Sequence, residues 1–424
     1  MPDHPHRKRI FRLGVAEGFF FQTGMSTSHE SLVLSVLLKM LGAPTAIIGS
    51  LPAIRFAGWS LPQVLVANAL ESRRYRMPVY SFGNGVRFPL YFILAALVAF
   101  LSPQQPGLTI GLFLVIYALG RITAGIGAAA RSEILAKVLA PGDLTQFFAM
   151  RDLAGSIGGF LTGFLISAIL GERGLAFPWN FAALLTLSGV LFGLAWVIFC
   201  RIPEPPTEQL KDNCTLATQF GEIRTLVRQD GNYRQYLWVR LCLAAVQIVS
   251  PFYALYAIDR LQIETALVGV YLSAVTFSHM VASPLWGQMG KRWGSPAILR
   301  GSALLSALAP LVAVVLPILG SRAGWLDAPA FAYLYALVFL VTGAATPGRE
   351  IGFTSYLLAI APPERRPTYI GLTNTLHGVL ELATIGVGQA IDSWDYAPIF
   401  VAAAIIGVVG AALAWQLKGR GQKQ

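Results

Sequence analysis

The fold class the sequence predicts is an all-α polytopic membrane protein: twelve transmembrane helices in two pseudo-symmetric six-helix halves, both termini cytoplasmic. Composition, the recurrence of apolar runs and the placement of basic residues predict it. The chain is 55% hydrophobic and 12% charged, with a mean hydropathy of +0.60, far from the balance of a soluble domain. Apolar runs of the ~20 residues that cross a bilayer core recur along its whole length. The longest polar interval, residues 201–235, leaves no room for a soluble catalytic domain of ordinary size.

Taken in order, the expected spans are 11–37, 44–69, 79–101, 108–130, 145–170 and 178–200, then 236–258, 266–289, 297–319, 328–348, 367–391 and 397–417. The first follows His6-Arg7-Lys8-Arg9 but is long and lacks a small-residue cleavage site, so it reads as an uncleaved span. With the N-terminus inside, the cytoplasmic segments hold Arg7, Lys8, Arg9, Arg12, Arg73, Arg74, Arg76, Arg201, Lys211, Arg224, Arg228, Arg234, Lys291, Arg292, Arg365, Arg366, Lys418, Arg420 and Lys423. The outer connections hold only Lys39, Arg173, Arg260 and Arg322. That asymmetry follows the positive-inside rule. It also accounts for the net charge of +11 without nucleic-acid binding. Cys200, Cys214 and Cys242 have no metal-ligand spacing and read as buried thiols.

The expected organisation is a half at 1–200, a cytoplasmic linker at 201–235 and a second half at 236–424. The linker opens on Pro203-Glu204-Pro205-Pro206, a stiff exit. Leu216, Phe220, Ile223 and Val227 then recur at the spacing of an amphipathic surface helix. An internal echo supports two halves: Ala140-Pro141-Gly142-Asp143 after the fourth span returns as Ala361-Pro362-Pro363-Glu364 after the tenth.

The fourth span carries Gly120-Arg121-Ile122-Thr123-Ala124-Gly125-Ile126-Gly127-Ala128-Ala129. Gly125 and Ala128 share the helix face of Arg121, which sets a cation beside a groove that a neighbouring backbone can enter. A charge inside the membrane is costly and functional by default. The pattern resembles the fourth-helix signature of the major facilitator superfamily of transporters, with Ala124 where that signature usually has Gln. The family's loop between its second and third spans reads roughly Gly-x-x-x-Asp-Arg-x-Gly-Arg-Arg. Here Glu71 takes the acid's place, followed by Arg73 and Arg74, and the glycines are gone. The second-half copy keeps Gly287, Gly290, Arg292 and Gly294, with Lys291 for the usual Asp. The resemblance implies that these loops latch helix ends by charge pairing; ordinary basic turns are the alternative. Gly155, Gly159 and Gly163 form a packing ridge on the fifth span. Ala154-Gly155 stands where the related drug antiporters carry Gly-Pro.

Candidate functional residues are the polar ones inside spans. Asn374, His377, Glu381 and Thr384 recur on one face of the eleventh span. A carboxylate and an imidazole one turn apart in a low-dielectric site can exchange a proton; hydrogen bonding to solute, or a tie to an arginine, is the alternative. Arg55 either pairs with Glu30 or Glu381 or holds an anionic solute group, pairing being the simpler reading. Gln22, Ser26 and His29 share a face of the first span, whereas Glu17 sits near enough to the cytoplasm to snorkel. Arg151-Asp152 and Arg349-Glu350 occupy corresponding span ends and read as inter-helix charge clusters. Pro251, Pro284 and Pro347 mark kinks or gates.

No phosphate-binding loop, metal-spaced cluster or nucleophile elbow occurs, so no cofactor is expected and energy comes from a gradient. The resemblance implies alternating access: two halves rock about a central cavity and move a small organic solute, as a monomer in the bacterial inner (plasma) membrane. The expected mode is a proton-coupled exporter in which Arg121 positions solute or proton and Glu381 titrates. Uptake by symport or uniport, with protons or another ion, is the second transport reading. An intramembrane or lipid-processing enzyme and a transport-dead sensor are the readings from other classes.

Overall fold

The computed structural model describes residues 7–71, 73–139, 141–206, 230–326, 328–361 and 366–417, and every regular element among them is helical. The chain forms α1 (Arg7–Thr27), a π-helical turn (Glu30–Leu34), α2 (Ser35–Met40), α3 (Thr45–Glu71), α4 (Met77–Ala96), α5 (Pro106–Val138), α6 (Pro141–Leu170) and α7 (Trp179–Phe199). After the linker come α8 (Gly231–Ile248), α9 (Ser250–Asp259), α10 (Leu267–Arg322), α11 (Pro329–Ile360), α12 (Arg366–Glu381), α13 (Ala383–Trp394) and α14 (Tyr396–Trp415). Eight helices among the described residues are long and apolar enough to cross a membrane. The expected linker helix, Ala140 and residues 362–364 of the two echo tetrapeptides, and Cys214 lie outside the described residues.

Helix starts follow local chemistry. Proline stands in the first turn of α4, α5 and α11, where its missing N–H removes nothing. Asp230 caps α8 by accepting from the Tyr233 amide at 3.0 Å. Glu204, in the segment after α7, accepts from the amides of Arg76 and Met77 at 2.8 and 2.7 Å. It thereby supplies the start of α4 with a carboxylate, which also pairs with Lys137.

Three expected spans are interrupted, and two are joined. The first breaks at Ser28–His29, the seventh at Val249 just before Pro251, and the eleventh at Leu382. The eighth and ninth form one helical run that breaks at Gly294, in the expected connection between them, where a φ of 77° and ψ of 174° favour glycine. Pro284 and Pro347 stay within helices. The sharp break is therefore made by a backbone conformation and not by the missing N–H of proline.

The chain divides into two compact units: Met1–Ala43 with Ile54–Cys214, and Pro44–Ala53 with Thr215–Gln424. This differs from a simple cut at residue 200, because the first turns of α3 group with the second unit. There Gly49 lies against the Thr384 carbonyl and Gly388 against that of Thr45, each leaving no room for a Cβ. In the first unit Ile10, Tyr80, Ile134, Phe147 and Phe199 form a core cluster. In the second, Tyr233, Tyr236, Leu299, Phe353 and Tyr356 do so. Phe100, Val115, Leu161, Phe164, Ile405 and Val408 are each more than half exposed, while several arginines are buried. Apolar side chains outside and charges inside are the arrangement that lipid, not water, accommodates.

Candidate functional site

In the first unit the site grows from the broken end of α1. Thr27 and Ser28 turn their hydroxyls back onto the Gly24 carbonyl at 2.9 and 3.0 Å, and Thr27 also meets Ser188 of α7 at 2.6 Å. His29 then turns extended, and the amides of Leu32, Val33 and Leu34 converge on its carbonyl. The helical ladder is open at this point, and Glu30 is buried beside it. Arg55 Nε stands 3.0 Å from Glu30 Oε1, so of the expected partners it has Glu30. Gln22 lies against Gly155 of α6 and Ser26 bonds to the Gln22 carbonyl. The expected shared face of Gln22, Ser26 and His29 is therefore lost, because α1 stops before His29.

Arg121 of α5 is 5% exposed, and Arg87 of α4 only 1%. Their Nη1 and Nη2 respectively point at the Met25 sulfur, at 3.6 and 3.1 Å. The Arg87 guanidinium stacks over Phe192 at 3.7 Å from the ring centre and faces Phe21 at 5.0 Å. Arg121 faces Trp59 at 5.8 Å. Gly125 and Gly58 allow this depth: a Cβ on Gly125 would strike the Trp59 carbonyl, and one on Gly58 the Arg121 stem. Sequence reading passed over Arg87, although a lone arginine in an apolar run was the signal that marked Arg121.

Glu17 is fully enclosed, not snorkelling. Arg131 Nη1 reaches its Oε1 at 3.4 Å and Arg151 Nε its Oε2 at 3.2 Å. The Arg151 stem lies flat on Gly18, where a Cβ would collide with it. Of the expected Arg151-Asp152 cluster, the partner is thus Glu17 of α1; Asp152 makes no ion pair among the described residues.

In the second unit His377 Nε2 lies 3.6 Å from Glu381 Oε1, one turn apart on α12. Glu381 is buried where α12 ends, and Thr384 donates to its carbonyl at 2.7 Å. Asn374 is exposed. Arg349 of α11 is buried and donates to Ser306 and Thr346 at 2.9 and 3.1 Å. Its neighbour Glu350 is exposed, and neither residue makes an ion pair among the described residues.

The sequence profile of the Major Facilitator Superfamily matches residues 18–379, with a second match at 241–423. The chain belongs to that superfamily. A curated relative, uncharacterized protein Rv2209 of Mycobacterium tuberculosis (strain ATCC 25618 / H37Rv), is 23% identical over 404 residues, 93% of this chain and 73% of that protein. Among solved structures, a variant of the nucleoside transporter NupG superposes with a TM-score of 0.75 at 15% identity, covering 97% of this chain and 100% of that one. A D-xylose–proton symporter gives 0.73 at 16%, covering 97% and 98%. At such identities these likenesses describe the fold. It is that of a multi-pass membrane transporter.

Arg73 and Arg74 are exposed, and the carboxylate at the start of α4 is Glu204; the Glu71 side chain lies outside what is described. Lys291 and Arg292 are exposed and make no ion pair among the described residues. Gly287 has open space around it, whereas Gly294 makes the break in α10. On α6, Gly155 and Gly158 face Gln22 and Thr23 of α1, and Gly159 and Gly163 are buried.

Proposed function

We propose that this superfamily member moves a small organic solute across the bacterial inner membrane by alternating access, as a monomer with cytoplasmic termini, exporting it in exchange for protons. The observation that carries the coupling is the buried Glu381 at a helix interruption with His377 Nε2 at 3.6 Å. A carboxylate and an imidazole within reach of each other can pass a proton between them. Arg121 positions the solute or the proton. Deep ionisable groups with a partner are the usual parts of a proton relay in membranes.

Purified protein in sealed proteoliposomes with a pH-sensitive dye tests this against a panel of amphipathic cations, sugars and organic acids. Solute-triggered proton movement in the wild type that disappears in Glu381→Gln supports the assignment. Proton movement surviving in Glu381→Gln sinks it. Solute movement without any proton signal points to uniport or another ion. Uptake by symport is the second reading, favoured by Ala154-Gly155 where the drug antiporters have Gly-Pro, with Gly155 serving to seat Gln22.

A further inference from the structure

Arginines that reach the interior of the first unit fall into two groups. Arg55, Arg131 and Arg151 each meet a carboxylate, on Glu30 or Glu17. Arg87 and Arg121 are more deeply buried than Arg55, and neither has a carboxylate in ion-pair range among the described residues; Glu30, already paired with Arg55, acts on Arg121 electrostatically from beyond that range. Their common contact is the Met25 thioether, a weak and polarisable acceptor. Nε and Nη1 of Arg87 and Nε of Arg121 are buried without a hydrogen-bond acceptor. Two guanidinium groups that share one sulfur also repel each other in a medium of low dielectric. Burying one cation unpaired is expensive, and burying two side by side more so. A protein keeps such an arrangement when something else supplies the negative charge.

The aromatic contacts say what kind of molecule that is. Phe192 and Phe21 cover Arg87, which fixes the plane of the guanidinium and leaves Nε and Nη1 unmet, with Nη2 on the Met25 sulfur. An edge-on guanidinium matches a carboxylate or phosphate bidentately. Tyr91 lies 5.8 Å from the Arg87 carbon and Trp59 the same distance from that of Arg121. These rings offer flat apolar surface next to the cations.

We infer that Arg87 and Arg121, with Met25 between them and Phe21, Tyr91, Phe192 and Trp59 around them, bind the carboxylate or phosphate of an organic anion with an apolar or aromatic body. Its meaning as a solute site rests on the transport reading above, but binding is measurable without flux. The anion displaces the Met25 sulfur from the guanidinium edges and takes over the unmet N–H groups. Met25 is unbranched and can swing aside at little cost.

Thermal unfolding of the full-length protein in detergent tests this, using benzoate, phenyl phosphate, inorganic phosphate and uncharged benzyl alcohol, with chloride as the ionic-strength control. Benzoate or phenyl phosphate should raise the melting temperature of the wild type by a few degrees, and benzyl alcohol should not. Arg87→Gln and Arg121→Gln should each weaken the apparent affinity about tenfold to a hundredfold, the loss of one charge-assisted fork. Without ligand, Arg87→Gln should melt higher than the wild type, because it removes an uncompensated charge. Arg87→Lys should keep the low melting point yet lose much of the anion response, since it keeps the charge and loses the fork.

A lower melting point in ligand-free Arg87→Gln, together with no anion response in the wild type, would make Arg87 a packing residue and overturn the proposal. Inorganic phosphate acting as strongly as phenyl phosphate would overturn the organic body while supporting the anion site. Anion binding without solute movement in proteoliposomes would sink the transport reading and leave the site standing. Solute movement with no anion response in either assay would do the reverse.

Discussion

The two units keep their interiors electrically different. Among the described residues, the buried charged ones in the first are Glu17, Glu30, Arg76, Arg87, Arg121 and Arg151; in the second they are Arg349 and Glu381. The first unit ties Arg55, Arg131 and Arg151 to carboxylates and leaves Arg87 and Arg121 with none in ion-pair range among the described residues. The second meets its arginine with the hydroxyls of Ser306 and Thr346, and its acid with a histidine. A net-cationic interior is a place to receive an anion, whereas a hydroxyl- and imidazole-lined interior can gain or lose a proton without stranding a charge. On the two proposals above, solute recognition draws on the first unit and proton handling on the second. The two units thus carry unequal chemistry, set by a few side chains at helix breaks and close-packed glycines.

The largest test of that contrast is Glu17→Gln. It leaves Arg131 and Arg151 buried without their carboxylate, and breaking a buried pair from one side costs about 3–5 kcal/mol. The melting temperature in detergent should fall far, in the opposite direction from Arg87→Gln. Equal shifts in both variants would erase the distinction between paired and unpaired arginines. In the second unit Ser306→Ala should cost about 1–3 kcal/mol, the loss of one acceptor from a buried guanidinium. A cost as large as that of Glu17→Gln would mean that the second unit depends on its arginine just as heavily. The smallest effect should come from Lys291→Ala with Arg292→Ala, both exposed and outside any ion pair described here. The melting temperature should then move by the equivalent of no more than about 0.5 kcal/mol. A larger loss would restore the charge latch that the superfamily resemblance implies for this loop.

Much of the polar chemistry was legible wherever it was local. His377 and Glu381 are four residues apart, and helical spacing alone sets them together. Glu30 was one of two partners open to Arg55, since an arginine inside a membrane requires an acid and few acids are available. The Arg121 face with Gly125 could be read because small residues at helical spacing admit a neighbour's backbone, here Trp59. Arg87 was equally visible as a lone charge in an apolar run, but no glycine motif drew attention to it. Glu17 was misjudged by its distance along the chain from the cytoplasmic end: the arginines that enclose it come from α5 and α6, more than a hundred residues away. Glu204 looked like part of a stiff proline exit, yet it completes the start of α4 across 127 positions.

The sequence by itself determined that this chain is a helical membrane protein of a transporter superfamily, because span length and charge placement answer to the bilayer and need no partner. It also determined which few charges would have to be accounted for inside the membrane. Only the tertiary structure decided how they are accounted for. Which arginine meets a carboxylate, which meets a hydroxyl and which meets only a sulfur depends on helices distant in sequence coming within a few ångströms. The break at Ser28–His29 is likewise accompanied by a contact distant in sequence, that of Thr27 with Ser188.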